Sequence, residues 1–122
     1  MKPQELAKQL AASLAESEEY RKYRAAKQVL DEHEAAKSMF EDFRKKQLEL
    51  ERKRLSGEKL LEPYETELKK LAEIVGLNPY VREYLMAEYQ FSQLMMVIQR
   101  TIADAVGIEL PQDTGSEGGD SQ

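Results

Sequence analysis

Apolar residues recur at three- and four-residue steps along most of this chain, and the longest such stretch runs from Asn78 to Gly107. Asn78 can cap a helix with its side-chain oxygen, and Pro79 suits the first helical position because its missing N–H is not needed there. Gly107 can adopt the left-handed conformation that ends a helix. The pattern predicts one long helix between these caps, without a charged residue from Tyr89 to Gln99.

This predicted helix is apolar around most of its circumference. Such a helix is usually surrounded by protein on most sides, so we predict that it forms the centre of a bundle and a subunit interface. Its main apolar face contains Val81, Tyr84, Phe91, Met95, Ile98, Ile102 and Ala105, and a second group, Met86, Tyr89, Met96 and Val97, points away from that face. The residues expected at the interface are Tyr84, Tyr89, Phe91, Met95, Met96, Val97, Ile98 and Ile102.

Shorter helical patterns precede the central helix. The first, Pro3 to Ala15, has one narrow leucine stripe and is too short to be stable alone, so it must dock on its own bundle or on a neighbour. Ser17 is placed to cap the second. A break is expected near residues 31–34, and a third helix at residues 35–55.

A fourth helix is predicted from about Pro63 to Gly76, and the turn Leu77-Asn78 leads directly into the central helix as an αα-hairpin. Its apolar residues follow a seven-residue pattern: Leu61, Tyr64, Leu68, Leu71 and Val75. The expected fold is therefore an all-α antiparallel bundle of four to five helices with a long central hairpin, oligomeric, in one domain at residues 1–110. Residues 111–122, rich in Gly, Ser and acids, are expected to be a disordered tail.

The amino-acid composition limits which kinds of binding site and which compartments fit this chain. Net charge is −5, which argues against a general polyanion binder but permits a local basic patch. The absence of Cys excludes disulfides, thiolate metal sites and Cys nucleophiles, and we predict no cofactor. The N-terminal residues lack an apolar signal-peptide core, so the expected compartment is the cytoplasm. Membrane insertion is not expected, because the charge-free run of the central helix is shorter than the ~20 residues a membrane span requires.

Two residues are candidates for chemistry. His33 lies at the predicted helix break without partners at metal-ligand or catalytic spacing, which favours a solvated structural histidine. Glu88 falls within the apolar face of the central helix, where a buried carboxylate would need a partner such as Arg54 or a tyrosine hydroxyl. No second acid or nucleophile accompanies Glu88, so a polar contact that sets helix register is favoured over an active-site acid.

A basic stretch, residues 44–54, could contact a polyanion or an acidic partner. Acidic residues interleave there, which favours an ordinary solvated helix face. Leu48 and Leu55 project away from the main stripe and suggest a second contact surface. The candidate contact residues are Arg44, Lys45, Lys46, Arg52 and Lys53.

Three segments together, SEEYRKYRAAKQVL, MFEDFRKKQLELERKRLSGE and VGLNPYVREYLMAEYQFSQLMMVIQRTIADAVG, resemble the YlbF/YmcA family of bacterial proteins, and most closely its YheA-like branch. The resemblance covers about residues 3–110 and is strongest from Asn78-Pro79 through Tyr84-Leu85 and Glu88 to Ala105-Val106-Gly107. These are helix-packing rather than catalytic signatures.

The resemblance implies a helical fold that forms dimers or larger oligomers in the cytoplasm of Gram-positive bacteria. Relatives act with a partner protein in a complex that influences competence, sporulation, biofilm formation and RNA processing by a membrane-bound endoribonuclease. Relatives in that complex hold iron–sulfur clusters through cysteines, and because this chain has none, cluster binding is not expected here.

The sequence thus favours a non-enzymatic helical interaction or adaptor protein, self-associating through the central helix and with a candidate protein partner in a regulatory complex. The alternative is a nucleic-acid-associated protein that binds through the basic helix 44–54. An enzymatic function, resting on Glu88 and Arg54 alone, is the least favoured.

Overall fold

The structure, a computed structural model, describes residues 1–57 and 62–110, with the backbone alone for residues 62 and 63. In these residues it contains five helices and no strand, which confirms the all-α class. They are α1 (Pro3–Ala15), α2 (Glu18–Asp31), α3 (Glu34–Leu55), α4 (Glu62–Gly76) and α5 (Pro79–Val106). The predicted heptad residue Leu61 and the predicted tail at residues 111–122 lie outside the described residues.

The predicted N-terminal caps of α2 and α5 are confirmed. The Ser17 hydroxyl oxygen accepts a hydrogen bond from the backbone N–H of Tyr20 at 3.1 Å. The Asn78 side-chain oxygen accepts from the N–H groups of Tyr80 and Val81, at 2.9 and 3.2 Å. Each cap satisfies N–H groups that the first turn of a helix leaves unpaired, and this fixes where each helix begins.

The C-terminal ends of α3 and α5 depend on glycines in the left-handed region. Gly107 has φ of 72°, and the next residue, Ile108, donates its N–H to the Ala103 carbonyl at 2.9 Å, as in a Schellman ending. Gly57 follows α3 with φ of 84°. Gly76 instead is the last residue of α4 and does not have a positive φ.

One hydrophobic core lies within residues 1–91. It takes side chains from α2, α3, α4 and the first part of α5, and burying each large one contributes roughly 1.5–3 kcal/mol. Val75 and Val81 are completely buried on either side of the short turn between α4 and α5, so the core holds that turn in place. The buried members of the cluster are Leu30, Ala36, Phe40, Phe43, Val75, Val81 and Tyr84.

Helix α1 contacts α2 but contains no buried residue. Leu6 and Leu10 of its leucine stripe are exposed, and Leu14 is half-buried. A 13-residue helix is marginal in water without packing. The leucine stripe of α1 is therefore largely exposed to solvent in a single chain.

From Ser92 onward, one described residue of α5 is buried. Ala103 is buried there, whereas Ile102 and Ala105, predicted to lie on the packed face, are exposed. Tyr84 is 8% exposed and Ile102 55%. Periodicity identified this apolar face but not how far along the helix one chain covers it, and Ile102 remains a predicted interface residue.

Candidate functional site

A polar cluster connects α2, α3 and α5. Arg44 donates from Nη2 to Oε1 of Glu88 at 2.6 Å, and the Tyr84 hydroxyl donates to Oε2 of Glu88 at 3.4 Å. The hydroxyls of Tyr23 and Tyr84 are 3.4 Å apart. Glu88 is half-buried, and it has both a cation and a tyrosine hydroxyl as partners.

Arg54, proposed from the sequence as the partner of Glu88, is not that partner. It is exposed near the end of α3 and forms an ion pair with Glu51 at 3.6 Å. Arg44 lies ten residues earlier, one turn after the core residue Phe40, at the level of α5 where Glu88 projects. Arg44 was expected instead among the cations available to a polyanion. Its guanidinium is paired with Glu88, and its side chain is 39% exposed.

The surroundings of Tyr84 limit what the cluster can do chemically. Burial, the hydrogen bond with Tyr23 and the charge of Glu88 all raise the pKa of Tyr84 well above its usual value of 10.0. Its phenol therefore stays protonated at neutral pH and acts as a hydrogen-bond donor rather than as a base or nucleophile. A lone half-buried carboxylate beside a neutral tyrosine and an arginine suits a contact that sets helix register better than acid–base catalysis.

Arg44 is held between Glu88 and the core. Its guanidinium carbon lies 4.8 Å from the ring centroid of Phe40, within the range of a cation–π contact. Its Nε is buried and has no hydrogen-bond partner among the described residues, a penalty of about 1–3 kcal/mol. The Glu88 carboxylate and the Phe40 ring offset that penalty.

His33, expected to be solvated, is half-buried and structural. It precedes α3 and stacks on Tyr80 of the first turn of α5, with ring centroids 3.7 Å apart and an interplanar angle of 18°. Its Nδ1 lies 2.8 Å from the Val29 carbonyl oxygen, so Nδ1 carries the proton and donates. These contacts join the α2–α3 junction to the start of α5.

A groove of about 490 Å³ runs between α2 and the first part of α5. Its lining is mainly apolar and includes three alanines, together with the charged residues Lys22 and Glu83. The lining residues are Lys22, Ala25, Ala26, Val29, Tyr80, Glu83, Met86, Ala87 and Gln90. Sequence periodicity assigned Met86 away from the packed face of α5 but did not predict a groove beside it.

The C-terminal half of α3 is strongly basic at its surface. Lys45, Lys46, Arg52 and Lys53 are exposed. The ammonium nitrogen of Lys53 lies 5.1 Å from the ring centroid of Tyr64, whose hydroxyl donates to Glu49 at 3.2 Å. Four of the five predicted basic contact residues are thus exposed, and the fifth, Arg44, is half-buried.

The predicted interface residues of α5 divide into three groups. Tyr84 is buried in the core against Tyr23 and Phe40 and is not accessible to a partner, which corrects its assignment to the interface. Phe91 is half-buried, and its ring stacks on that of Tyr23. Met95, Met96 and Ile98 are half-buried, and Tyr89, Val97 and Ile102 are exposed.

The described residues contain no cluster of three or more His, Cys, Asp or Glu side chains placed to hold a metal ion. Within the same ranges, no helix is long and apolar enough to cross a membrane.

Comparison with known proteins shows relatives over nearly the whole chain. UPF0342 proteins of Caldicellulosiruptor bescii and Caldicellulosiruptor saccharolyticus are 40% and 39% identical over 102 and 105 residues, covering 84% and 86% of this chain and 86% and 88% of theirs. A solved structure titled "Protein of Unknown Function (DUF964) from Bacillus stearothermophilus" superposes with a TM-score of 0.79. It is 23% identical and covers 85% of this chain and 91% of its own, so it supports the fold alone.

A family profile described as "Control of competence regulator ComK, YlbF/YmcA" matches residues 4–107. The match includes the caps of α2 and α5, the polar cluster and the basic half of α3. The chain therefore belongs to the YlbF/YmcA family.

Proposed function

We propose that this protein is a non-enzymatic helical interaction protein that self-associates through α5 and serves as an adaptor or regulatory subunit. The observation that carries this proposal is the exposure of large apolar side chains on different sides of one helix. Val97 is 61% exposed and Ile102 55%, and at five residues apart they lie about 140° from each other around α5. A second subunit that covered each would contribute roughly 1.5–3 kcal/mol per side chain.

The polar cluster supports a non-enzymatic function. Its one carboxylate, that of Glu88, is engaged by Arg44, and the raised pKa of Tyr84 leaves that residue neutral. Family membership supports a regulatory function, and the sequence resemblance supports placement in the YheA-like branch and in the cytoplasm. The cysteine-dependent cluster chemistry of some relatives is not part of the proposal, because this chain contains no Cys.

The mass of the protein in solution tests the proposal. Light scattering after size exclusion, over a wide range of protein concentration, should give a multiple of the 14.0 kDa chain mass. Val97→Glu should shift the population to monomer, because it places a charge in the proposed interface. Gln28→Glu adds the same charge at an exposed position of α2 and should leave the mass unchanged. A wild-type monomer throughout, or an unchanged mass for Val97→Glu, would overturn the interface.

A second candidate function is nucleic-acid binding through α3. The four exposed cations favour it, and Leu48 and Leu55, exposed beside them, weigh against it because a phosphate backbone offers nothing for them to contact. It predicts RNA or DNA binding that weakens steeply with salt. Absence of binding at low salt would eliminate it.

A further inference from the structure

The basic half of α3 repeats a four-residue unit. Residues 45–48 read KKQL and residues 52–55 read RKRL, seven positions later. Seven residues make about two turns of an α-helix, so equivalent members of the two units lie one above the other. The repeat therefore places two leucines in a row on the surface of α3, with cations beside them.

The two leucines belong to no core. Leu48 is 64% exposed and Leu55 78%. Leu50, the nearest buried residue of α3, lies about 200° from Leu48 and about 140° from Leu55 around the helix, so both leucines point away from it. Helix propensity alone does not require leucine there, since the neighbouring Lys, Arg, Gln and Glu residues form helices almost equally well.

Cations border the leucines at the spacing of helix neighbours. Lys45 precedes Leu48 by three residues, and Arg52 precedes Leu55 by three, so each pair shares one side of α3. Neither Lys45 nor Arg52 forms an ion pair within the described part of the chain. We name these four residues, Lys45, Leu48, Arg52 and Leu55, the leucine–basic stripe. The stripe is locally positive on a chain whose net charge is −5.

We propose that the leucine–basic stripe binds an acidic amphipathic helix of a partner protein. Two leucines spaced by seven residues match the apolar seam of a short coiled coil, and flanking charges in such a seam select the partner and its orientation. The partner helix would place apolar side chains against Leu48 and Leu55 and carboxylates opposite Lys45 and Arg52. The stripe contains no residue of α5, and its proposed function does not depend on self-association.

Other classes of ligand fit the stripe less well. A nucleic acid would engage the cations and leave both leucines in water. A membrane surface would accept the cations, but two leucines bury too little apolar area for stable attachment. Only a ligand that alternates apolar and acidic positions uses all four side chains.

The test uses a synthetic 21-residue helical peptide with leucines at heptad positions and glutamates beside them, labelled for fluorescence anisotropy. The control peptide has the same composition, reordered so that its leucines spread around the helix. A single-stranded RNA oligonucleotide and vesicles containing phosphatidylserine serve as the competing ligand classes. All four are measured against the full chain at the same salt concentration.

Two double variants separate the contribution of the leucines from that of the cations. Leu48→Ser with Leu55→Ser removes the apolar contacts and keeps the cations, whereas Lys45→Gln with Arg52→Gln does the reverse. Ile74→Ser with Leu77→Ser, and Lys69→Gln with Lys70→Gln, remove equally exposed side chains of α4 and the α4–α5 turn and serve as matched controls. We expect each stripe variant to weaken binding of the acidic peptide by about ten-fold, and each control by less than two-fold.

The proposal is overturned by any of four results. These are no saturable binding of the acidic peptide, equal binding of the reordered peptide, full binding by the leucine variant, or tighter binding of RNA or vesicles than of peptide. The stripe variants should keep the wild-type mass, and Val97→Glu should keep peptide affinity. Failure of the stripe and failure of self-association through α5 are therefore distinguishable.

Discussion

Removing either member of the Arg44–Glu88 ion pair should destabilise the packing of α5 on α3 by a measurable amount. The 2.6 Å contact has the length of a charge-assisted hydrogen bond, which contributes about 1.5–3 kcal/mol when buried. Both side chains are half-buried, and exposed pairs contribute only about 0.2–1 kcal/mol. The coupling between them should therefore lie near 1 kcal/mol.

The single substitutions should differ in cost. Glu88→Ala removes the partner of a cation whose Nε is already unpaired, and it removes the acceptor of the Tyr84 hydroxyl as well. We expect a loss of about 1–2 kcal/mol in the free energy of unfolding for Glu88→Ala. Arg44→Ala also loses the cation–π contact with Phe40, about 0.5–1 kcal/mol at a partly exposed site.

A double-mutant cycle measured by urea denaturation isolates the coupling, with every variant at the same protein concentration because association adds to apparent stability. Arg54→Ala provides the matched control, since Arg54 pairs with Glu51 and should add to Glu88→Ala within about 0.3–0.5 kcal/mol. Two results would refute the reasoning. One is additivity of Arg44→Ala and Glu88→Ala, and the other is a coupling between Arg54 and Glu88.

Three further predictions concern single residues. Tyr84→Phe should reduce the loss of stability above pH 10. Because the pKa of Tyr84 is raised in the folded state, the unfolded chain releases this proton at lower pH, and wild type should lose up to about 1.4 kcal/mol relative to the variant by pH 11. Parallel pH profiles of the two proteins would contradict the burial of this phenol. Asn78→Ala should lower the free energy of unfolding, measured by urea denaturation, by about 1 kcal/mol because the α5 cap is lost, whereas Asn78→Asp should be close to wild type. Equal losses in both variants would show that the side-chain oxygen does not cap α5. His33→Ala should cost about 0.5–1.5 kcal/mol through loss of stacking on Tyr80, and an unchanged free energy of unfolding would contradict that contact.

The ends of the helices were the part of the fold that the sequence predicted most accurately. The bounds predicted for the first helix, Pro3–Ala15, are those of α1, and Ser17, Asn78 and Gly107 cap as expected. These features depend on contacts within a few residues, which the sequence itself specifies. The break near residues 31–34 also followed from local loss of apolar content, with α3 beginning at Glu34, one residue earlier than predicted.

Contacts between helices were predicted less accurately from the sequence. Local sequence patterns could not decide between Arg44 and Arg54 as the partner of Glu88, because that choice depends on how far α3 is shifted along α5. In the structure Phe40 packs against Tyr84, and Arg44 lies one turn beyond Phe40. The stacking of His33 on Tyr80 joins residues 47 positions apart, and no local pattern indicates it.

The boundary between covered and uncovered apolar surface could not be predicted at all. Tyr84 and Ile102 both belong to the apolar face predicted from the sequence and look equivalent there, but only Tyr84 is buried. Periodicity identifies which side of a helix is apolar, and tertiary structure decides where along the helix that side is covered. For this reason the interface assignment failed at Tyr84, while Val97 and Ile102 remain candidates.

The most direct test of self-association through α5 is the distance between identical positions in neighbouring subunits. Because the chain contains no Cys, a single introduced cysteine can carry a nitroxide label without background, at position 97 in Val97→Cys or at position 28 in Gln28→Cys. Pulsed electron paramagnetic resonance should give a defined distance between labels at position 97, and a longer one between labels at position 28. No intermolecular distance at position 97, or a shorter one at position 28, would contradict the proposed interface.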